Sequence, residues 1–164
     1  MKNTATCYLE KDGKTLMIHR TKKENDPNAG KYIGVGGHFE EGESPEDCIV
    51  REVLEETGLS LLSLRYRGIV TFVSDRWETE YVHVFTSDRF EGEMYPCDEG
   101  ELCWIETEKL FDCPIWEGDT VFLRLIRAGA PFFSLKLIYE GDTLKSAVLN
   151  REALDLTAAL SKND

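Results

Sequence analysis

Residues 37–59, GHFEEGESPEDCIVREVLEETGL, constrain this chain more than any other stretch. Ser44-Pro45 is a helix start. A serine at N-cap accepts otherwise free amide hydrogens, and a proline at N1 loses nothing by lacking its own. Glu46 and Asp47 then set negative charge against the positive end of the helix dipole. Gly58 supplies the stop, because a glycine just past the last turn takes the left-handed conformation without penalty. A helix of about four turns is therefore expected between Ser44 and Gly58. At about 100° per residue, Val50, Val53, Leu54 and Thr57 share one face. Glu52, Glu55 and Glu56 are expected on the opposite face with their carboxylates converging.

Three acidic groups at that spacing repel one another unless a cation or solvent screens them. Hard carboxylate oxygens suit Mg²⁺ or Mn²⁺, which bind through few carboxylates plus waters and substrate phosphates. Arg51, inside the same cluster, is read as orienting the glutamates by charge-assisted hydrogen bonds. Glu43 is read as pinning the loop ahead of the helix. Gly36 and Gly37 allow close backbone approach or positive φ and turn carbonyls toward a ligand; a tight strand-to-loop turn is the plainer alternative.

The rest of the chain fits one intracellular domain. Its 164 residues are enough for a single adequate core, here assigned to 1–150, with 151–164 as a tail able to form a short helix. No apolar run approaches membrane-spanning length and MKNTATCYLE lacks a signal peptide's apolar region, so a cytoplasmic location is expected. Five cysteines without CxxC spacing point to reduced thiols and no zinc site. A net charge of −12 argues against polymeric nucleic acid as a partner, since counterion release needs clustered cations. A small anionic substrate remains compatible. The local cluster His19, Arg20, Lys22 and Lys23 is either a phosphate contact or plain surface charge, with Arg20 its better candidate.

Periodicity and turn residues give the expected elements. Residues 3–10 and 14–20 read as a hairpin across Lys-Asp-Gly, 21–30 as a loop, and 31–35 as a short strand entering the glycines. Strands are expected at 61–73, 80–87 and 101–105, and a helical turn at Glu108–Phe111. A helix is expected over Asp119–Ala128, and a closing hairpin from Phe132–Tyr139 to Thr143–Leu149.

Written as a pattern, the 37–59 stretch is G-x5-E-x7-R-E-U-x-E-E-x-G-U, with U a bulky aliphatic, and no specified position is missing. Chance agreement at those positions is about one in a million. The stretch resembles the Nudix box, the signature of Mg²⁺-dependent hydrolases of nucleoside diphosphates linked to another moiety. The resemblance implies the α/β (α+β) Nudix fold, a mixed sheet between helices. It also implies a metal site built from Glu52, Glu55 and Glu56, completed by a carbonyl of Gly36 or Gly37. A further carboxylate is implied five residues ahead of a strand tryptophan. Glu99 has that spacing to Trp104, with Asp98 and Glu101 beside it. Glu52 is the general base this reading assigns, with Glu99 or Glu55 as substitutes.

Beyond the box, residues 4–149 are similar to the oxidised-purine nucleoside triphosphatases, the 8-oxo-dGTP diphosphatases of the MutT/MutX kind. The similarity rests on Lys31-Tyr-Ile-Gly-Val-Gly-Gly, on Tyr81-Val-His-Val-Phe85, and on Trp116-Glu-Gly-Asp119 followed by Pro131-Phe-Phe. It implies that Trp116 stacks on a purine, that Asp119 or Glu117 pairs with purine N–H donors, and that Phe72 covers the opposite face. Ordinary packing for Trp116 and a helix N-cap for Asp119 are the structural alternatives. Two departures stand out. Ile33 replaces an asparagine that bonds the base in mammalian relatives, and Gly118 replaces one of two adjacent aspartates. Three readings follow: an Mg²⁺-dependent pyrophosphohydrolase of oxidised purine nucleotides, a broader hydrolase of NTPs, ADP-ribose or similar compounds, and a non-catalytic binding module. The complete set of box glutamates speaks against the last.

Overall fold

The computed structural model describes residues 1–161. In chain order the strands are β1 (Lys2–Lys11), β2 (Lys14–His19), β3 (Tyr32–Ile33) and β4 (Val35–His38). Helix α1 (Pro45–Thr57) is followed by β5 (Ser60–Leu61), β6 (Arg65–Ser74), β7 (Glu80–Ser87), β8 (Phe90–Glu91) and β9 (Glu101–Glu106). A 3₁₀ turn (Thr107–Asp112), α2 (Glu117–Arg127), β10 (Phe133–Glu140), β11 (Thr143–Leu149), β12 (Glu152–Ala153) and α3 (Leu156–Ala159) complete the chain.

The sheet is mixed, in the order β12-β11-β10-β6-β7-β1-β2-β3, with β4 also paired to β1 and β9 to β2. Strands β1 and β7 run parallel, as do β6 and β10, and the remaining pairs of this sheet are antiparallel. Asp12 and Gly13, at φ 53° and 75°, turn the first hairpin, the double positive φ that suits right-twisted strands. Alternation along each strand sends side chains to two faces. Ala5, Cys7, Leu9 and Phe85 meet Cys48, Ile49 and Val53 of α1 on one face. Tyr8, Val70, Val84, Leu135 and Leu137 meet Val121, Phe122 and Ile126 of α2 on the other. The helices thus lie against opposite faces of the sheet, and β1 between them delivers residues to both.

Several boundaries differ from expectation. The expected 31–35 strand is two short strands that meet at Gly34, because the chain changes partner there: β3 pairs with β2 and β4 with β1. Helix α2 begins at Glu117, so Asp119 is in its first turn and is not the N-cap; Trp116 holds that position with no side-chain capping bond. The tail docks over the described residues. Strand β12 pairs with β11, Leu154, Leu156 and Leu160 pack on the α2-side core, and Arg124 Nη1 donates to the Ala159 carbonyl at 2.9 Å. Residues 162–164 of the expected tail lie outside the described residues.

Candidate active site

Helix α1 is built as its termini foretell. Ser44 Oγ accepts from Asp47 N at 3.0 Å, Asp47 Oδ2 accepts from Ser44 N at 3.1 Å, and Gly58 closes the helix at φ 82°. Its facing is different from the helical-wheel expectation. Val50 and Leu54 are 44% and 47% exposed, whereas Cys48, Ile49, Val53 and Thr57 are buried. The buried arc is therefore centred near Ile49 and Val53, and Glu56 lies within it, with Glu52 at its edge, rather than opposite. Only Glu55, with its side chain 58% exposed, looks outward as expected.

Two glycines allow close approach here, Gly37 to a carboxylate and Gly36 to the backbone of β1. A Cβ on Gly37 would sit 2.5 Å from the Glu52 carboxyl carbon, and one on Gly36 would sit 1.9 Å from the Ala5 carbonyl oxygen. Both residues belong to strand β4, paired with Ala5 and Thr6, and neither has positive φ. Their role is close approach; neither the turn nor the positive-φ reading holds. Gly36 N–H donates to Glu56 Oε2 at 3.3 Å, and the Gly37 carbonyl lies 3.6 Å from Cys48 Sγ.

Arg51 organises the acidic end. Its Nε and Nη2 grip Glu43 at 2.7 and 2.9 Å, Nη1 reaches Glu52 at 2.8 Å and Glu55 at 3.2 Å, and Nη2 also donates to the His38 carbonyl at 3.0 Å. The fork on Glu43 lowers that carboxyl to about 2. Glu43 also accepts from Glu40 N at 2.7 Å, which is the pinning geometry. Glu56 has no cation so close. Burial, with the charges of Glu99 and Glu52, pushes its carboxyl up to about 8.

A cleft of about 850 Å³ runs from this acidic end to an aromatic end. It is lined by Arg51, Glu52, Glu55, Glu56 and Glu99 at one end and by Phe72, Trp116, Asp119 and Tyr139 at the other, with Ile33 and Gly34 also on its wall. Tyr139 joins the aromatics, tilted against Phe72 at 5.1 Å and edge-on to Trp116 at 5.6 Å. Tyr139 thus touches both Phe72 and Trp116, and all three rings line the cleft. Lys31 Nζ lies 4.6 Å over the indole ring, and the indole N–H donates to Asn28 Oδ1 at 2.7 Å. Asp119 is half-buried on the cleft wall, and desolvation raises its carboxyl to about 7, with Lys31 opposing.

Other sequence candidates fall elsewhere. Glu117 is not on the cleft; its Oε1 accepts from Leu144 N at 3.0 Å, tying α2 to β11. Arg20 lines the cleft, but its Nε is held by Asp26 at 2.7 Å and its Nη1 by Glu99 at 3.0 Å. Lys23 lines the rim, Lys22 caps the Cys97 carbonyl at 3.0 Å, and His19 stacks on Tyr32. Gly118 N–H donates to Tyr139 Oη at 2.6 Å, and a Cβ at this position would sit 2.5 Å from Leu137 Cδ1. Asp26, Asn28 and Tyr139 were not foreseen. They reach the cleft from a loop and a distant strand, and no local spacing marks them.

The NUDIX domain family model matches residues 2–126. The chain belongs to the Nudix family. It is 35% identical over 106 residues to the oxidized purine nucleoside triphosphate hydrolase of Danio rerio, covering 63% of this chain and 67% of that one. It is 28% identical over 134 residues to the uncharacterized Nudix hydrolase YvcI of Bacillus subtilis, covering 79% and 81%. A MutT protein crystal structure from Bacillus halodurans superposes with a TM-score of 0.82 at 23% identity, over 93% of this chain and 99% of that one, a likeness of fold.

Nudix hydrolases act on phosphoanhydride bonds and generally use divalent cations, typically Mg²⁺. The donors here suit such an ion. Burial first, and then the charges of Glu99 and Glu52, disfavour an ionised Glu56, and a cation placed beside it would favour the charged form. Among the described residues no three or more acidic, cysteine or histidine side chains converge on one point as around a bound metal ion. A Mg²⁺ ion here would take only some of its oxygens from the protein and the rest from water and phosphate.

Proposed function

We propose that this Nudix hydrolase is a Mg²⁺-dependent pyrophosphohydrolase of purine nucleoside triphosphates, oxidised ones such as 8-oxo-dGTP included, releasing monophosphate and pyrophosphate. The supporting observation is the single cleft that joins carboxylates at one end to Trp116, Tyr139 and Asp119 at the other. A triphosphate at the acidic end sets its base among the aromatics.

Glu52, Glu55, Glu56 and Glu99 would hold the cation. When bound, it offsets phosphate charge and lowers the pKa of attacking water. The chain's own groups do the rest. Arg51 fixes Glu52 and Glu55 in place, and Glu52 takes the water's proton. Trp116 stacks on the purine, and ionised Asp119 accepts from its N–H edge, having no aspartate neighbour at Gly118 to share that work. Ile33 offers that edge no hydrogen bond. We expect this to weaken discrimination between oxidised and normal purines.

Specificity constants for 8-oxo-dGTP, dGTP, dATP, dCTP and dTTP with Mg²⁺ test the reading. The purines should exceed the pyrimidines by at least about tenfold, the scale of one lost stacking contact. Equal constants across the panel would refute base recognition.

A further inference from the structure

Four contacts join the two ends of the cleft through the loop that follows β2. Glu99 Oε2 accepts from Arg20 Nη1 at 3.0 Å, and Arg20 Nε donates to Asp26 Oδ2 at 2.7 Å. The other Asp26 oxygen accepts from Asn28 N at 3.0 Å, and Asn28 Oδ1 accepts the indole N–H of Trp116 at 2.7 Å. Each Asp26 oxygen thus has one partner, one leading toward Glu99 and the other toward Trp116. The middle of the chain is dry: side-chain exposure is 2% at Asp26 and 9% at Arg20.

The loop's ends are closed as firmly as its centre. Arg20 N donates to the Lys31 carbonyl at 3.0 Å and Gly30 N to the Arg20 carbonyl at 2.8 Å. Ala29 N donates to the Asp26 carbonyl at 3.0 Å and Lys31 N to the Asn28 carbonyl at 2.9 Å. A buried guanidinium–carboxylate pair with this support is costly to break, because either partner alone would be left charged without solvent. Such a pair holds one arrangement and resists intermediate ones.

We infer that Arg20, Asp26 and Asn28 form a positioning brace that sets Trp116 and Glu99 at a fixed separation along the cleft, so that the loop acts as the gauge for substrate length. These residues act through Trp116 and Glu99. The inference rests on the proposed roles of those two groups, while the brace itself can be tested without substrate.

The indole N–H signals in a ¹⁵N–¹H spectrum report the brace directly, with Trp116 assigned by its loss in Trp116→Phe. Asn28→Ala removes the acceptor and should move the Trp116 signal, and Asn28→Asp, which keeps an oxygen there, should return it toward its original place. Asp26→Asn should move the same signal from one residue further away while leaving those of Trp77 and Trp104 unchanged. Arg20→Lys, which keeps the charge but loses the two-way grip, is the second variant should Asp26→Asn not fold. In turnover, Asn28→Ala should raise KM for dGTP about fivefold with kcat within twofold. Asp26→Asn should also lower kcat about tenfold, because it releases Glu99. A folded Asp26→Asn or Arg20→Lys protein with an unmoved Trp116 signal overturns the brace. Failure of the wild-type protein to hydrolyse any panel nucleotide would instead refute the functional reading, and the indole signals would still decide the brace.

Discussion

A methyl group on Gly37 would lie 2.5 Å from the carboxyl carbon of Glu52, well inside van der Waals contact. The Glu52 carboxylate fills the room left by the missing side chain. Gly37→Ala should displace that carboxylate from its place beside β4. Displacements near 1 Å at a reacting centre cost about a hundredfold in rate. We expect kcat to fall by about that factor and the melting temperature to drop by a few degrees, as overpacking of about 1–3 kcal/mol would produce. Steady-state kinetics and thermal unfolding of the variant check both.

Arg51 reaches three carboxylates and a backbone carbonyl with one planar group, which lysine cannot do. Arg51→Lys should lower kcat about tenfold or more, in line with the loss of groups that orient ligands. Glu43 gives the pH signature. Its folded carboxyl is lowered to about 2 from the usual 4.5, so its stabilising contribution is present above about 4.5 and is lost as pH falls toward 2. Without the guanidinium fork this protection goes, and acid unfolding followed by circular dichroism should shift to higher pH in Arg51→Lys.

Glu56 behaves in the opposite sense. Its folded carboxyl is raised to about 8 from 4.5, so the folded chain binds a proton more tightly than the unfolded one. That contribution is fully present below about 4.5 and is lost progressively up to about 8. Metal-free protein should lose melting temperature across this window, and Mg²⁺ or Mn²⁺ should restore it at the upper end. Glu56→Gln should flatten the slope and raise the metal-free melting temperature near pH 8, yet lower kcat by orders of magnitude. Differential scanning calorimetry in chelator and in excess Mg²⁺ checks the pair of outcomes.

At the other end of the cleft, Asp119 has its carboxyl raised to about 7. Its acceptor form is lost as pH falls below that value, so KM for dGTP should rise from pH 8 to pH 6. Asp119→Asn should abolish this dependence. Trp116→Ala should raise KM about tenfold at every pH, the scale of one stacking contact. KM measured across pH for the three proteins checks this.

The sequence made some of this legible and hid the rest for identifiable reasons. Ser44-Pro45 and Gly58 marked both ends of α1, since caps are local chemistry, and the Asp12-Gly13 turn marked the first hairpin in the same way. Which way α1 faces was not local. Val50 and Leu54 look like core residues on a helical wheel, but Gly36 and Gly37 of β4 bring the glutamate side of the helix against the sheet. Trp116 and Asp119 were found through resemblance, while Tyr139 and Asn28 reach the same cleft from 21 and 88 residues away in sequence, as their bonds to Gly118 and Trp116 record. Glu117 was misassigned because a carboxylate beside Trp116 looks like a ligand until its bond to Leu144 is seen.

The central claim is that carboxylates of one helix hold a divalent cation that directs water onto a nucleoside triphosphate. ³¹P NMR of dGTP turnover by the wild-type, Glu55→Gln and Glu56→Gln proteins tests it most directly. The account predicts pyrophosphate and monophosphate from the wild-type protein only with Mg²⁺, and a loss of orders of magnitude in both folded variants. Wild-type rates in both variants at saturating Mg²⁺, or diphosphate and inorganic phosphate as products, would contradict it.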